Sequence, residues 1–179
     1  SVLSDAGSAD NADLKTQRPG ASSGFYAGQL SLTTLHTIAK SKQLIDLYLN
    51  FESQLASDPL PSSLQKSIGG ISSVRGYDER EVFGDHGFHL NTELRFGTFS
   101  TAGIGSIQPF TFYDVGHVSS EESLSGVKDS TSLHSAGGGV RCSFKSSLNF
   151  SLQLGIPLKA SADTKQHDPR LHFNLDFRF

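Results

Sequence analysis

With 179 residues, 15 Lys and Arg against 18 Asp and Glu, and a net charge of −3, the chain has room for one domain with a sizeable core and carries no polyanion-seeking charge. No Lys/Arg cluster is present to track phosphates, which argues against nucleic acid. The hydrophobic share of 36% is low for a water-soluble globule, and the single cysteine, Cys142, excludes an internal disulfide and a cysteine-cluster zinc site.

Residues 1–24, rich in Ser, Asp, Ala and Gly, bury too little to offset ordering and read as a mobile polar loop. Residues 25–38 alternate from Phe25 onward, with a slip near Thr34, and predict a strand. In 43–56, Ile45, Leu47, Leu49 and Phe51 alternate with Asp46, Tyr48, Asn50 and Glu52, although Leu44, Tyr48, Phe51 and Leu55 would also share a helical stripe. The neighbouring strands favour a strand here, ended by Asp58-Pro59-Leu60-Pro61. Residues 58–87 form a long loop, and such loops in compact folds are usually functional. It holds Gly69-Gly70, then Val74-Arg75-Gly76-Tyr77, then Gly84-Asp85-His86-Gly87.

From 87 to 97 alternation is clean: Phe88, Leu90, Thr92, Leu94 and Phe96 lie on one face, and His89, Asn91, Glu93 and Arg95 on the other. Residues 107–118 form another strand, with Phe112, Asp114 and Gly116 on one face. Residues 119–131 are a polar, acidic loop. Gly137-Gly138-Gly139 lacks the Lys-Ser/Thr of a phosphate loop and reads as a flexible lead-in to the strand carrying Val140, Cys142 and Phe144; Cys142 itself reads as a small strand residue. In 146–159, Leu148, Phe150, Leu152, Leu154, Ile156 and Leu158 line one face, more than a soluble edge strand would expose. The last strand, 170–179, alternates without error to Phe177 and Phe179.

No run approaches the length of a transmembrane helix, which leaves membrane barrels open because their segments are short and alternating. The seven histidines are scattered. His86 and His89 straddle an expected turn, without the Glu of an HExxH pair, so no metal site is expected. No G-x-S-x-G occurs and nothing orients a His between a Ser and an acid, so no enzyme and no cofactor are expected.

Val74-Arg75-Gly76-Tyr77 resembles the VRGY/F loop motif of outer-membrane translocation and assembly barrels. With Gly69-Gly70 upstream and Gly84-Asp85-x-Gly87 before a strand, residues 24–179 resemble the C-terminal part of the TpsB two-partner secretion transporters, the haemolysin secretion/activation family. Phe112-x-Asp114-x-Gly116 is similar to that family's partner motif. The resemblance implies an all-β, antiparallel transmembrane β-barrel of the outer membrane, of which this chain holds about seven strands of sixteen. It implies that residues 1–24 are an extracellular loop, that the loop 58–87 folds back into the lumen, and that Arg75 meets Asp114 there. Val74, Gly76, Tyr77, Phe112 and Gly116 complete the contact, and Gly116 leaves room for a loop tip. A carboxylate on an inner barrel face wants a partner, and a guanidinium offers two parallel donors. The terminal aromatics Phe177 and Phe179 are similar to the signal that barrel assembly machinery reads.

The expected activity is export of an unfolded haemolysin- or adhesin-type client through the pore, with outer-membrane lipid, the client and the assembly machinery as partners. Three alternatives stay open: an assembly factor of the same superfamily, a passive porin-like barrel, and a soluble β-sandwich binding module. With no initial Met and an odd strand number, the chain reads as a piece of a longer protein.

Overall fold

The alternating segments become long antiparallel strands in the computed structural model, which describes residues 2–4, 24–40, 44–101, 105–121, 130–144 and 148–177. In chain order these are β1 (Val2–Ser4), β2 (Tyr26–Lys40), β3 (Leu44–Ala56), β4 (Lys66–Ile68), β5 (Val82–Gly84), β6 (His86–Phe96), β7 (Phe99–Thr101), β8 (Gly105–Ser119), β9 (Ser130–Phe144), β10 (Leu148–Pro157) and β11 (Arg170–Phe177). One sheet runs β1-β2-β3-β6-β8-β9-β10-β11, every pair antiparallel, and β7 continues the line of β6 along β8. The all-β antiparallel expectation therefore holds, and the seven long strands are the seven read from alternation.

Several expectations need correction. Residues 2–4 are a strand paired with 26–28, not part of a loop; most of the remainder of 1–24 lies outside the described residues. The slip read near Thr34 is absent: β2 pairs regularly with β3 through Thr37, and the register shifts only between Thr37 and Ala39. The loop after β3 contains its own hairpin, β4 with β5, and ends at residue 85 because β6 begins at His86. His86 and His89 thus share one strand and straddle no turn. Gly137-Gly138-Gly139 is the middle of β9, not its lead-in. Close neighbours explain the glycine at 137: a Cβ there would press on the Leu154 carbonyl of β10 and lie 2.5 Å from Phe112 Cζ of β8, so a side chain would have to displace both.

Burial is reversed relative to a water-soluble sheet. Glu93 is 3% exposed and Asp114 0%, whereas Leu30, Leu32, Leu171, Phe173, Leu175 and Phe177 are all more than half exposed. Apolar side chains facing out over a polar, covered face suit a hydrocarbon surround. The residues covering the polar face are those of the 57–85 loop. Ile68, Val74 and Tyr77 from the loop pack with Val118 of β8 and Leu133 of β9 in one buried cluster. At the loop's start, Leu60 packs with Phe25 and Ala27.

Candidate functional site: a loop seated on the polar face of the sheet

The loop carries its own scaffold before it reaches the sheet. Gly69 and Gly70 have φ of +118° and +90°, a region that side chains resist. The turn is closed by Gly70 N donating to the Val74 carbonyl at 3.1 Å and by Gly69 N donating to Ser73 Oγ at 2.9 Å. Glu79 accepts from Ile71 N at 2.8 Å. Asn91 of β6 donates to the Ser73 carbonyl, which brings the turn down on the strand.

Arg75 stands at the tip, 4% exposed. Its Nε and one terminal nitrogen donate to the two Asp114 oxygens at 2.7 Å each, a side-on bidentate pair. The backbone N of Arg75 adds a third bond to Asp114 Oδ2 at 3.1 Å. The other terminal nitrogen donates to Glu93 Oε1 at 2.7 Å and to Gln153 Oε1 at 3.1 Å. The guanidinium carbon lies 3.6 Å from the centroid of the Phe112 ring. Burial works against the Arg75 charge, and Asp114 and Glu93 more than offset it, so its pKa sits above the ordinary value.

Glu93 is a hub. Besides Arg75 it accepts from Arg95 Nε at 2.9 Å and from Arg141 at 2.9 and 3.0 Å. Arg95 and Arg141 lie over the rings of Tyr48 and Phe110 at 3.9 and 4.0 Å. Three arginines thus meet two carboxylates on a face built from β3, β6, β8, β9 and β10.

Each residue singled out in the sequence has a place. Val74 is fully buried in the cluster with Val118 and Leu133. Gly116 leaves the space that Ile68 and Val74 fill, each 2.9 Å from a would-be Cβ. Gly76 has φ of +89° and meets the backbone of Gly155, whose own would-be Cβ lies 2.5 Å from Gly76 N. Tyr77 Oη lies 2.8 Å from the His134 carbonyl and 2.7 Å from that of Lys159. Burial raises the Tyr77 phenol, and Glu81 adds to the shift, so it remains a donor at neutral pH. Phe177 lies on the exposed face of β11, opposite Leu148, and Phe179 lies outside the described residues.

Sequence reasoning did not single out Glu93, Gln153, Gly155, His172 or Glu81. Alternation had placed Glu93 on a polar face, and Gln153, Gly155 and His172 alternate with apolar neighbours in the same way, but which polar residues meet depends on register. Asp85, in the Gly84-Asp85-x-Gly87 stretch, is fully buried and its side chain binds two segments, the start of the loop and the stretch just after β8. It accepts from Leu60 N at 2.9 Å, Gln65 at 3.3 Å and Glu121 N at 2.9 Å.

Glu81 ties the loop to the 158–169 connection. It accepts from Thr164 N at 3.1 Å, Thr164 Oγ1 at 2.6 Å and Asp78 N at 2.8 Å, while Arg170 pairs with Asp78. Glu81→Ala in the full-length protein is expected to free that connection and leave the Arg75 tip seated. Hydrogen bonds to a charged group are worth roughly 1.5–3 kcal/mol, so tryptic cleavage after Lys165 should rise by about tenfold or more. Unchanged cleavage after Lys165 would show that the connection is held by other contacts.

Among the described residues no group of three or more His, Cys, Asp and Glu is placed to hold a metal ion. The arrangement can clamp a loop on a wall; its charges are spent on one another.

Comparison with known proteins places this geometry. The family model for "Haemolysin secretion/activation protein ShlB/FhaC/HecB" matches residues 5–142. The outer membrane transporter CdiB of Escherichia coli O6:K15:H31 is 37% identical over 68 residues, 38% of this chain and 12% of that protein. CdiB from another Escherichia coli source is 34% identical over the same length. The solved structure of CdiB from Escherichia coli superposes with a TM-score of 0.74 at 21% identity, over 88% of this chain and 28% of that one, which shows a shared fold. The chain therefore spans a minor part of the relatives it matches. On the family match across most of its length, it belongs to the haemolysin secretion/activation ShlB/FhaC/HecB family of the outer membrane.

Proposed function

We propose that this chain is the C-terminal wall of an outer-membrane pore that exports an unfolded haemolysin- or adhesin-type client in two-partner secretion, with the 57–85 loop as its seated restraint. The observation that supports this most is Arg75, buried and fixed on Asp114 by three hydrogen bonds across 39 residues of sequence. A passive wall would not need a loop with such a charge arrangement at its tip, because burying an ion pair gains little stability over apolar packing. The exposed apolar face is the lipid surface, the last strand is the element that barrel assembly machinery engages, and no catalytic step takes part.

The test is export by the full-length transporter carrying Arg75→Ala, Asp114→Ala, both changes, or the charge swap, at matched barrel abundance. Each single change is expected to cut export strongly, with the double no worse than either, since residues that act as one unit are non-additive. Normal export by all four variants would sink the proposal in favour of a passive barrel.

A further inference from the structure

Beside the Asp78–Arg170 pair, the seated loop meets the last strand at its tip. Gly76 N donates to His172 Nε2 of β11 at 2.9 Å. An imidazole nitrogen that accepts from an N–H must carry a lone pair, so this contact exists only with neutral His172 protonated on Nδ1. Protonation of Nε2 would set one N–H against another. It would also place a cation among groups already nearly balanced. The charges acting on His172 are Glu79 and Arg75 of the loop, Arg170 of its own strand and Asp114 of β8. Asp78 of the loop is already paired with Arg170. From β10 the residue opposite is Gln153, which is neutral and bonded to Arg75. Asp114 and Asp78 are thus engaged by arginines, and Glu79 is exposed and accepts from Ile71 N, so an imidazolium would gain little in return for the lost bond.

We infer that His172 is a proton-sensitive positioning residue: neutral, it holds the Gly76 tip of the loop on β11, and protonated, it lets go. The seated state binds one proton fewer, so acidification favours release and alkaline pH favours seating. The inference rests on the reading of the loop as a seated restraint, and it adds a regulatory input to the strand that ends the sheet. Arg75 and Asp114 keep their contact when His172 is charged, so release is of the tip and partial.

The test is a spin label at the exposed turn residue 72 (Ser72→Cys, with Cys142→Ser to remove the native thiol) in the full-length transporter in lipid, followed from pH 8 to pH 5. Losing a half-buried hydrogen bond and gaining a repulsion should raise the ratio of mobile to immobile label roughly tenfold across the histidine range. His172→Gln, which can accept through its side-chain oxygen and does not titrate, should keep the label immobile throughout. His172→Arg should be mobile already at pH 8. A wild-type label that stays immobile at every pH overturns the inference and leaves the seated loop standing, as does a His172→Gln label that responds to acid like wild type or a His172→Arg label that is immobile. A wild-type label mobile at every pH would instead mean the loop is not seated, and both readings would fall.

Discussion

Asp114→Ala is expected to unseat the loop while leaving the strand ladder intact. Arg75 would lose its bidentate partner and the acceptor for its backbone N, yet remain in a site that is 4% exposed. Removing one member of a buried pair typically costs about 3–5 kcal/mol, because the survivor is left uncompensated. The loop's alternative is to leave, taking Arg75 to water. Trypsin should then cut the full-length protein after Arg75 and Arg80, of which only Arg80 is exposed in the seated loop. Glu93→Gln is the contrast. It leaves the Asp114 contact in place, and the arginines it releases, Arg95 and Arg141, retain partial exposure of 20% and 34% at their side chains. Its effect on cleavage should be the smaller of the two. Equal effects would mean that Glu93 carries the seat as much as Asp114 does.

Gly155→Val is expected to release the tip without touching a charge. Gly155 on β10 and Gly76 at the tip meet backbone to backbone: a Cβ on Gly155 would lie 2.5 Å from Gly76 N, 2.8 Å from Gly76 Cα and 2.9 Å from the Arg75 carbonyl carbon. None of these is the end of a flexible side chain, so the tip as a whole must move. Overpacking a close contact typically costs about 1–3 kcal/mol. Valine favours strands, so β10 itself should not weaken. Gly138→Ala is the control, since a Cβ there meets nothing nearer than the Phe110 carbonyl at 3.1 Å. The same tryptic digest reads the result: cleavage after Arg75 in Gly155→Val but not in Gly138→Ala. A protected tip in Gly155→Val would show that the loop tolerates a wider approach to β10 than its backbone contact suggests.

The amino-acid sequence by itself determined the strands and their two faces. Period-two alternation is local, and it is clear where no helical stripe competes with it, as in 88–96 and 148–158, whereas 43–56 also carried a helical stripe and was settled by its neighbours. It also supplied, through the VRGY-like and F-x-D-x-G-like stretches, the expectation that Arg75 faces Asp114. Local pattern misled where a glycine run looked like a lead-in. Gly137 and Gly139 are in mid-strand because a Cβ there would meet the Leu154 and Leu152 carbonyls of β10 and, at Gly137, the Phe112 ring of β8, facts stored in the neighbouring strands. Only the tertiary structure decided the rest of the seat. Gln153 lies 78 residues from Arg75, and His172 lies 96 from Gly76. Such pairs are set by the cumulative register of five strands and by the height at which the loop tip stops. Alternation says which face a side chain is on, but it is silent about how far along that face a distant partner will sit. The physical reason is that period two is a property of one backbone, whereas depth and neighbour are properties of the whole ladder.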